Sequence, residues 1–298
     1  PFTAFFTHGE ATAYPIEVPE EFELSTEQNA MLDAYLEQRF QGNFSMAGIR
    51  FWPEMRSLGE DFWQRAKDFK QIVPVFTNVI FDTSQSHANV VFEHMFAWLD
   101  QVLEITRACT DTLFVIRAHP DETRPGKESL ESVADWVQKS GASALKNILF
   151  VPSDQYFSSY ELIRRSKFVM VYNSTIGLEA VLLGAPVLSG GKSRYTQLPM
   201  VFFPSTPEAH RLQAETFLAA ESIVVPPQFA KNARRFLYRQ LYHVALPFDA
   251  LLEEDGIWRG YARLKAFSIE QLNAPVFDVI EKGITEQRPF VLEGGIHG

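Results

Sequence analysis

Between residues 72 and 190, short β-branched apolar runs alternate about five times with segments of helical spacing. The apolar runs lie at 72–80, 112–117, 147–152, 168–172 and 185–189. The helical segments lie at 90–107, 128–141, 156–166 and 175–184. The first of these has an apolar stripe on one face, formed by Val91, Met95, Trp98, Val102 and Ile105. This alternation is typical of parallel βαβ units with right-handed crossovers. The sequence therefore predicts an α/β fold with a doubly wound parallel sheet and helices on both faces.

Polar loops are expected to gather at one edge of this sheet. In doubly wound folds, ligands bind outside the carboxyl ends of the strands. The loops predicted to share that edge are 81–89, 118–127, 153–156, 173–175 and 190–197. Residues in these loops are therefore the first candidates for a functional site.

The flanks of the chain lack this alternation. Residues 1–69 have helical stretches near 26–40 and 59–70, and residues 201–298 have them near 207–221, 228–245 and 268–283. The predicted organisation is an N-terminal helical segment, 1–69, a ligand-binding domain, 70–200, and C-terminal helices, 201–298, that pack back on the domain. Since the chain begins with Pro1 and the flanks are too short for a second doubly wound domain, we expect it to be cut from a longer protein.

Composition excludes several functions. The formal net charge of −10 argues against nonspecific binding to nucleic acid. A single cysteine, Cys109, excludes an internal disulfide and fits a reducing cytoplasm. No apolar run approaches the roughly 18 residues of a membrane helix. The chain also lacks metal-ligand spacings, a P-loop and a G-x-S-x-G elbow, so no metal site is predicted.

The segment N-S-T-I-G-L-E-A joins a predicted strand to a predicted helix. Ser174 is a suitable N-cap, and the free N–H groups of a first turn attract anions. The hydroxyls of Ser174 and Thr175, with the preceding Asn173, are therefore candidate phosphate ligands. Gly177 permits close approach of a ligand or a strand, and Glu179 could accept hydrogen bonds from a ribose diol. The alternative is an ordinary capped helix that packs on the sheet.

The segment R-A-H-P-D-E follows the strand at 112–117. Pro120 stiffens the turn and could hold the His119 imidazole in one place. His119 is the candidate catalytic residue, because a protonated imidazole can bind a phosphate or donate a proton to a leaving group. Arg117 is a candidate donor ligand from the same strand end. A loop histidine with no partner is the alternative.

Two more loops carry polar side chains at the predicted edge. The hydroxyl-rich loop 81–89 contributes Asp82 and Ser84, which suit sugar or phosphate binding but also suit ordinary turns. The segment S-G-G-K-S-R-Y at 189–195 contributes the cations Lys192 and Arg194. These four residues complete the set of candidate nucleotide ligands.

The order of these motifs, over residues 72–197, resembles bacterial capsule and surface-polysaccharide glycosyltransferases of the two-domain GT-B fold. The likeness implies a Rossmann-like donor domain at 70–200 and makes 1–69 either a separate helical segment or the remnant of an acceptor-side domain. A His-Pro motif with a Ser/Thr pair resembles sialyl and Kdo transferases that use CMP-linked donors. The resemblance implies that His119 faces the donor phosphate, that Ser174 and Thr175 hold it, and that Glu179 binds the ribose.

The same resemblance implies the partners. They are a nucleotide-sugar donor and a glycan acceptor, with no other cofactor and no metal. A cytoplasmic location is expected, with peripheral association with inner-membrane polysaccharide assembly machinery left open. The acidic general base of the sialyltransferase pattern has no match in this chain, so the group that activates the acceptor stays unassigned.

Two other functions stay open. UDP-N-acetylglucosamine 2-epimerases carry related glycine-glutamate helices but need carboxylates between two complete domains. A non-catalytic partner in a polysaccharide assembly complex would use the acidic, Phe-rich flanks as binding surfaces. Product assays without an acceptor would identify an epimerase, and a site that binds no nucleotide would favour the partner.

Overall fold

The computed structural model describes residues 2–9, 16–41, 56–80, 85–123, 131–255 and 261–293. The strands are β1 (Thr3–Ala4), β2 (Gln71–Phe76), β3 (Thr112–Arg117), β4 (Ile148–Val151), β5 (Val169–Val171), β6 (Val187–Ser189), β7 (Leu246–Pro247), β8 (Leu252–Glu254) and β9 (Ala262–Leu264). The α-helices are α1 (Thr26–Phe40), α2 (Glu60–Ala66), α3 (Gln85–Ala88), α4 (Met95–Ala108), α5 (Val133–Lys139), α6 (Ser159–Arg164), α7 (Ile176–Leu182), α8 (Pro207–Ala219), α9 (Pro227–Arg239) and α10 (Pro275–Glu286). Short 3-10 helices lie at Pro120–Thr123, Ala142–Ala144, Arg194–Gln197 and Ile269–Asn273, and a π-helix lies at Gln240–Val244.

The backbone contacts divide the chain into two compact units. We call Glu54–Ala233 the sheet unit, and Pro1–Pro53 with Arg234–Gly298 the terminal unit. Among the described residues, no helix is both long enough and apolar enough to cross a membrane.

A five-stranded parallel sheet forms the centre of the sheet unit. The strand order is β4-β3-β2-β5-β6, and the pairs β2–β3, β2–β5, β3–β4 and β5–β6 are all parallel. The chain moves from β2 through β3 to β4 at one edge of the sheet, and then crosses to β5 and β6 on the other side of β2. This order confirms the predicted doubly wound sheet and places its topological switch point between β2 and β5.

The sheet forms because its inner strands are apolar on both faces. All six residues of β3 are buried, as are five of the six in β2, which is typical of parallel strands covered by helices on each side. Helix α4 covers one face with the predicted stripe, in which Met95, Trp98, Val102 and Ile105 are at most 1% exposed. Burial of this stripe fixes α4 against the sheet.

Several element boundaries differ from the prediction. The strand predicted at 72–80 ends at Phe76, and the helix predicted from residue 90 begins at Met95. At that helix start, the His94 ring accepts a hydrogen bond from the Ala97 N–H and caps the first turn. Periodicity does not detect a histidine cap, so the apolar residues before it were assigned to the helix.

The two compact units meet at 53/54 and 233/234, while the domain boundaries expected at 69/70 and 200/201 stay a prediction. Helix α2 belongs to the sheet unit, where the Arg65 guanidinium donates to the carbonyls of Lys146 and Ile148. Helix α8 belongs to it too, because the Gln101 amide of α4 donates to the Pro207 carbonyl. These polar contacts between distant segments have no periodic signal in the sequence.

The terminal unit combines both ends of the chain. Strands β1 and β7 pair antiparallel, as do β8 and β9. Helix α1 occupies the predicted range and starts with a capping box between Ser25 and Gln28. The helix predicted at 228–245 ends as an α-helix at Arg239 and continues as the π-helix.

Candidate functional site

The switch point carries a pair of asparagines. Asn78 follows β2 and Asn173 follows β5, and the Asn78 side-chain NH2 donates to the Asn173 side-chain oxygen at 2.8 Å. Both side chains are buried, at 7% exposure each. A buried amide pair of this kind fixes the relative position of two strand ends. The two strand ends are therefore held together at the point where ligands of doubly wound sheets bind.

His119 lies in a fixed turn after β3. The 3-10 helix starts at Pro120, and the Glu122 N–H closes the turn on the His119 carbonyl at 3.0 Å. The His119 Nδ1 accepts a hydrogen bond from the Asp121 N–H at 3.1 Å. Because Nδ1 is then an acceptor, the neutral ring carries its proton on Nε2. His119 is thus held as a hydrogen-bond donor through Nε2.

The Ser174–Thr175 pair begins the α7 segment, but not as predicted. The cap position is Thr175, which makes no side-chain capping bond, so the assignment of Ser174 as N-cap is wrong by one residue. The Ser174 carbonyl accepts from the Gly177 N–H and from the Tyr195 hydroxyl. The Thr175 side chain is exposed, whereas Ser174 is buried. Of the two hydroxyls, that of Thr175 is the more accessible to a ligand.

Glu179 is buried beneath this segment. It is 7% exposed, and its carboxylate accepts a hydrogen bond of 2.6 Å from the Tyr160 hydroxyl of α6. Hydrogen bonds to ionised carboxylates are short and strong, so this contact fixes the carboxylate. Such a fixed acceptor suits the hydroxyl pair of a ribose.

Gly177 makes room for Tyr195, and its predicted approach to a ligand stays a prediction. A Cβ at residue 177 would lie 2.3 Å from the Tyr195 hydroxyl oxygen. Burial raises the pKa of Tyr195, and its neutral hydroxyl donates to the Ser174 carbonyl at 2.9 Å. The same Cβ would lie 3.1 Å from Cγ1 of Val171 in β5, so the close approach of a strand that was predicted for Gly177 is also present.

Arg117 lies inside the sheet unit. Its guanidinium donates to the Phe157 carbonyl and to the Ser159 hydroxyl, and the residue is 5% exposed. Burial lowers the pKa of Arg117 to about 10, which still leaves it charged at neutral pH. This side chain braces the segment that leads into α6, and its role as a donor ligand stays a prediction.

Four more residues were predicted as ligands, and the structure describes two of them, Lys192 and Arg194. Lys192 is exposed, and its backbone N–H donates to the Ala88 carbonyl at 2.9 Å. Arg194 is half-buried in the 3-10 helix with Tyr195. Asp82 and Ser84 lie outside the described residues.

Three residues near the site were missed from sequence. Asn78 was assigned to the interior of a strand, although an asparagine just after a buried apolar run is a signal for a strand end. Tyr160 and Tyr195 act through contacts between distant segments, with Glu179 and Ser174, which no local pattern reveals. Within the described part of the chain, no group of three or more His, Cys, Asp or Glu side chains could hold a metal ion.

The site spans two strand ends. Strands β3 and β5 both neighbour β2, so their carboxyl ends are about 10 Å apart at the usual strand spacing. A donor at His119 and a buried carboxylate at Glu179 therefore lie on opposite sides of the switch point. This arrangement can hold a ligand with an anionic group at one loop and a hydroxyl pair at the other.

The sheet order and its polar switch point define a doubly wound α/β protein of the kind that binds ligands at strand ends. Residues 52–199 match the model of a family described as capsule polysaccharide biosynthesis protein. The match confirms the resemblance inferred from the motifs at 72–197. No curated protein is significantly similar to the chain in sequence.

Solved structures give weaker similarities. The β Kdo 2,4 transferase KpsC of Thermosulfurimonas dismutans has 9% identity and a TM-score of 0.46, over 76% of this chain and 59% of that one. The S. aureus MnaA–UDP co-structure has 13% identity and a TM-score of 0.39, over 60% of this chain and 43% of that one. The C-terminal CMP-Kdo binding domain of WaaA from Acinetobacter baumannii has 12% identity and a TM-score of 0.34, over 58% and 93%. The chain thus spans less than two-thirds of the KpsC and MnaA chains, and at these scores no residue role transfers from them.

Proposed function

We propose that this chain supplies the donor-binding part of a glycosyltransferase that builds a bacterial surface polysaccharide from a nucleotide-sugar. The observation that carries the proposal is the pair of fixed groups across the switch point, His119 and Glu179. The family match over residues 52–199 supports the polysaccharide context. MnaA has been solved with UDP, and the WaaA domain is a CMP-Kdo binding domain. We propose that this chain also binds a nucleotide, in the form of a CMP-linked donor such as CMP-Kdo.

In this proposal, His119 donates from Nε2 to a phosphate oxygen of the donor, and Glu179 accepts from the ribose hydroxyls. The Thr175 hydroxyl adds a second donor to the phosphate. Helix α7 has only seven residues, so its dipole adds little and the proposed phosphate binding depends on the side chains. Lys192 and Arg194 follow the carboxyl end of β6 at the same edge of the sheet, where their positive charges would offset the charge on a departing phosphate. No metal or other cofactor is then required, and chelation with EDTA should leave nucleotide binding unchanged.

Calorimetry with CMP, CDP, UDP and GDP tests the proposal. At least one nucleotide should bind, and His119→Ala or Glu179→Gln should weaken it by about 1–3 kcal/mol, since each removes a hydrogen bond in a desolvated site. The control is Glu208→Gln, because Glu208 is an exposed carboxylate on α8 that is not among the proposed donor ligands. If the folded chain binds none of the four nucleotides, the proposal fails.

The acceptor and the setting are also proposed. A glycan acceptor is expected, with the enzyme in the cytoplasm and peripheral to inner-membrane assembly machinery. Fractionation of cells that produce the native protein would test the location. Conversion of UDP-N-acetylglucosamine to its 2-epimer without an acceptor would overturn the transferase proposal in favour of an epimerase.

A further inference from the structure

A pocket opens at the carboxyl edge of the sheet. It has a volume of about 380 Å³ and lies between the N-terminal end of α4 and one face of α5, beside Ile80 after β2. Helices α4 and α5 connect strands that run outward from β2, whereas α7 follows the return, so right-handed crossovers put them on opposite faces of the sheet. None of the pocket residues belongs to the proposed donor site. Its size falls in the range of about 300–1,000 Å³ typical of small-molecule sites.

One wall of the pocket is apolar and rigid. Met95, Phe96 and Trp136 line it, and Met95 is fixed in the core of the sheet unit. The Trp136 indole N–H donates to the Asp100 carboxylate at 2.8 Å. That bond uses the only polar group of the indole, so the ring presents an apolar face in a fixed orientation.

Hydrogen-bond donors stand beside this wall. The Asn89 side-chain oxygen accepts from the Tyr172 hydroxyl, so its NH2 is the part of the amide that can serve a ligand. The His94 Nδ1 accepts from the Ala97 N–H, so a neutral ring carries its proton on Nε2. Asn89 and His94 both line the pocket and both have one acceptor atom already engaged.

Carboxylates supply the acceptors. Glu131 and Asp135 line the pocket and are exposed, with one cation, Lys139, among the lining residues. The Asp135 carboxylate is oriented by the Ser132 hydroxyl at 2.8 Å. Two carboxylates against one ammonium make the pocket unfavourable for an anion.

We propose that this pocket binds an uncharged sugar unit of a glycan. A sugar ring presents C–H groups on its faces and hydroxyls at its rim, and each hydroxyl both donates and accepts. The fixed Trp136 face matches the C–H groups, the Asn89 and His94 donors match the hydroxyl oxygens, and the two carboxylates match the hydroxyl hydrogens. A phosphate, or the carboxylate group of a sugar acid, carries a negative charge that these two carboxylates repel.

Saturation-transfer NMR and calorimetry on the whole chain test the proposal, with methyl β-glucoside, methyl β-galactoside, N-acetylglucosamine, lactose and glucuronate as probes. At least one neutral sugar should bind to the pocket. Glucuronate should bind to the pocket at least about fivefold more weakly than that sugar at low salt. Glu131→Ala and Trp136→Leu should each weaken binding by about fivefold or more. Tighter binding of the disaccharide indicates a glycan, and equal binding indicates a free sugar in the same pocket.

The control is Asp68→Ala, because Asp68 is an exposed carboxylate of the sheet unit outside the pocket. Glu131 is exposed, so its variant should fold even if Trp136→Leu does not. The proposal is overturned if no neutral sugar binds, if glucuronate binds as tightly, or if Glu131→Ala binds like the unmodified chain. Sugars are titrated without nucleotide and nucleotides without sugar, so failure of this pocket and failure of the donor site are separate results.

Discussion

Apolar burial dominates the sheet unit, whereas guanidinium groups organise the terminal unit. In the sheet unit, β3 is buried along its whole length and Trp98 of α4 is fully buried against the sheet. In the terminal unit, Arg234, Arg235 and Arg239 donate to backbone carbonyls of segments 17–22 and 29. The segment at 16–25 has no regular secondary structure, so its carbonyls depend on these side chains.

The two units should therefore be destabilised by different kinds of substitution. Apolar contacts are numerous and individually replaceable, and their loss scales with the volume removed. A buried guanidinium serves several carbonyls at once, and its removal leaves each of them without a partner. We therefore expect the sheet unit to respond to changes in side-chain volume, and the terminal unit to respond to loss of single hydrogen-bond donors.

Trp98→Ala should have the largest effect. Replacement of a fully buried tryptophan costs about 3–5 kcal/mol, because the cavity adds to the lost transfer free energy. Hydrogen exchange followed by mass spectrometry reads the two units separately. Faster exchange is expected in β2, β3 and α4, and a loss of protection confined to the terminal unit would contradict the assignment of Trp98 to the sheet core.

Acid should destabilise the sheet unit through His210. Burial lowers the pKa of His210 from 6.5 to about 4, and its ring accepts from the Trp98 indole and pairs with Gln101. The folded state prefers the neutral ring, so this stability is complete above pH 6.5 and is lost as pH falls through 4. The loss is about 1.4 kcal/mol per pH unit and on the order of 3 kcal/mol in total.

His210→Gln separates this effect from the titration of carboxylates. The variant keeps an acceptor and a donor but cannot be protonated, so its free energy of unfolding should depend less on pH between 6.5 and 4 than that of the unmodified chain. His8→Gln, at an exposed histidine of the terminal unit, should keep the original dependence. Equal pH slopes in all three proteins would refute the role of His210.

The sheet was predictable because its signals are local. The order of strands and helices and the α4 stripe follow from β-branched runs and helical spacing. The sheet end at Phe76 and the helix start at Met95 were missed, since polar bonds of Asn78 and His94 to distant or backbone atoms set them. The arginine contacts of the terminal unit join residues about 200 positions apart, which no periodicity encodes.

The site was predictable at the level of loops. Parallel strands bring His119 and Glu179 to one edge, which the topology alone requires. The burial and the contacts of the individual side chains were not predictable, because they depend on how distant segments pack. Arg117 is inside the protein and Gly177 serves Tyr195, and both depend on segments that approach from elsewhere in the chain.

Arg239→Ala tests the terminal unit. Arg239 is 1% exposed and donates to the Glu17 carbonyl and to the Glu293 carboxylate, so its removal should cost about 1–3 kcal/mol. The matched control is Arg263→Ala, whose ion pair with Glu253 is solvent-exposed and contributes about 0–1 kcal/mol. Hydrogen exchange should increase at 16–22 in the first variant only. Similar exchange in the two variants would mean that burial does not distinguish these arginines and that the comparison of the units fails.

Tyr160→Phe should have the smallest effect on stability and a specific effect on the donor site. The change removes the hydroxyl that donates to Glu179 and keeps the ring, so the cost in folding is about 0.5–1.5 kcal/mol. If Glu179 binds the ribose, nucleotide affinity should fall by about two- to tenfold, because the carboxylate loses the bond that fixes it. Tyr156→Phe, at a tyrosine in the loop before α6, is the control. A variant with reduced stability but unchanged nucleotide affinity would show that the Tyr160–Glu179 bond supports only the packing of α6 on α7, and the ribose contact would then have to be sought elsewhere along the strand ends.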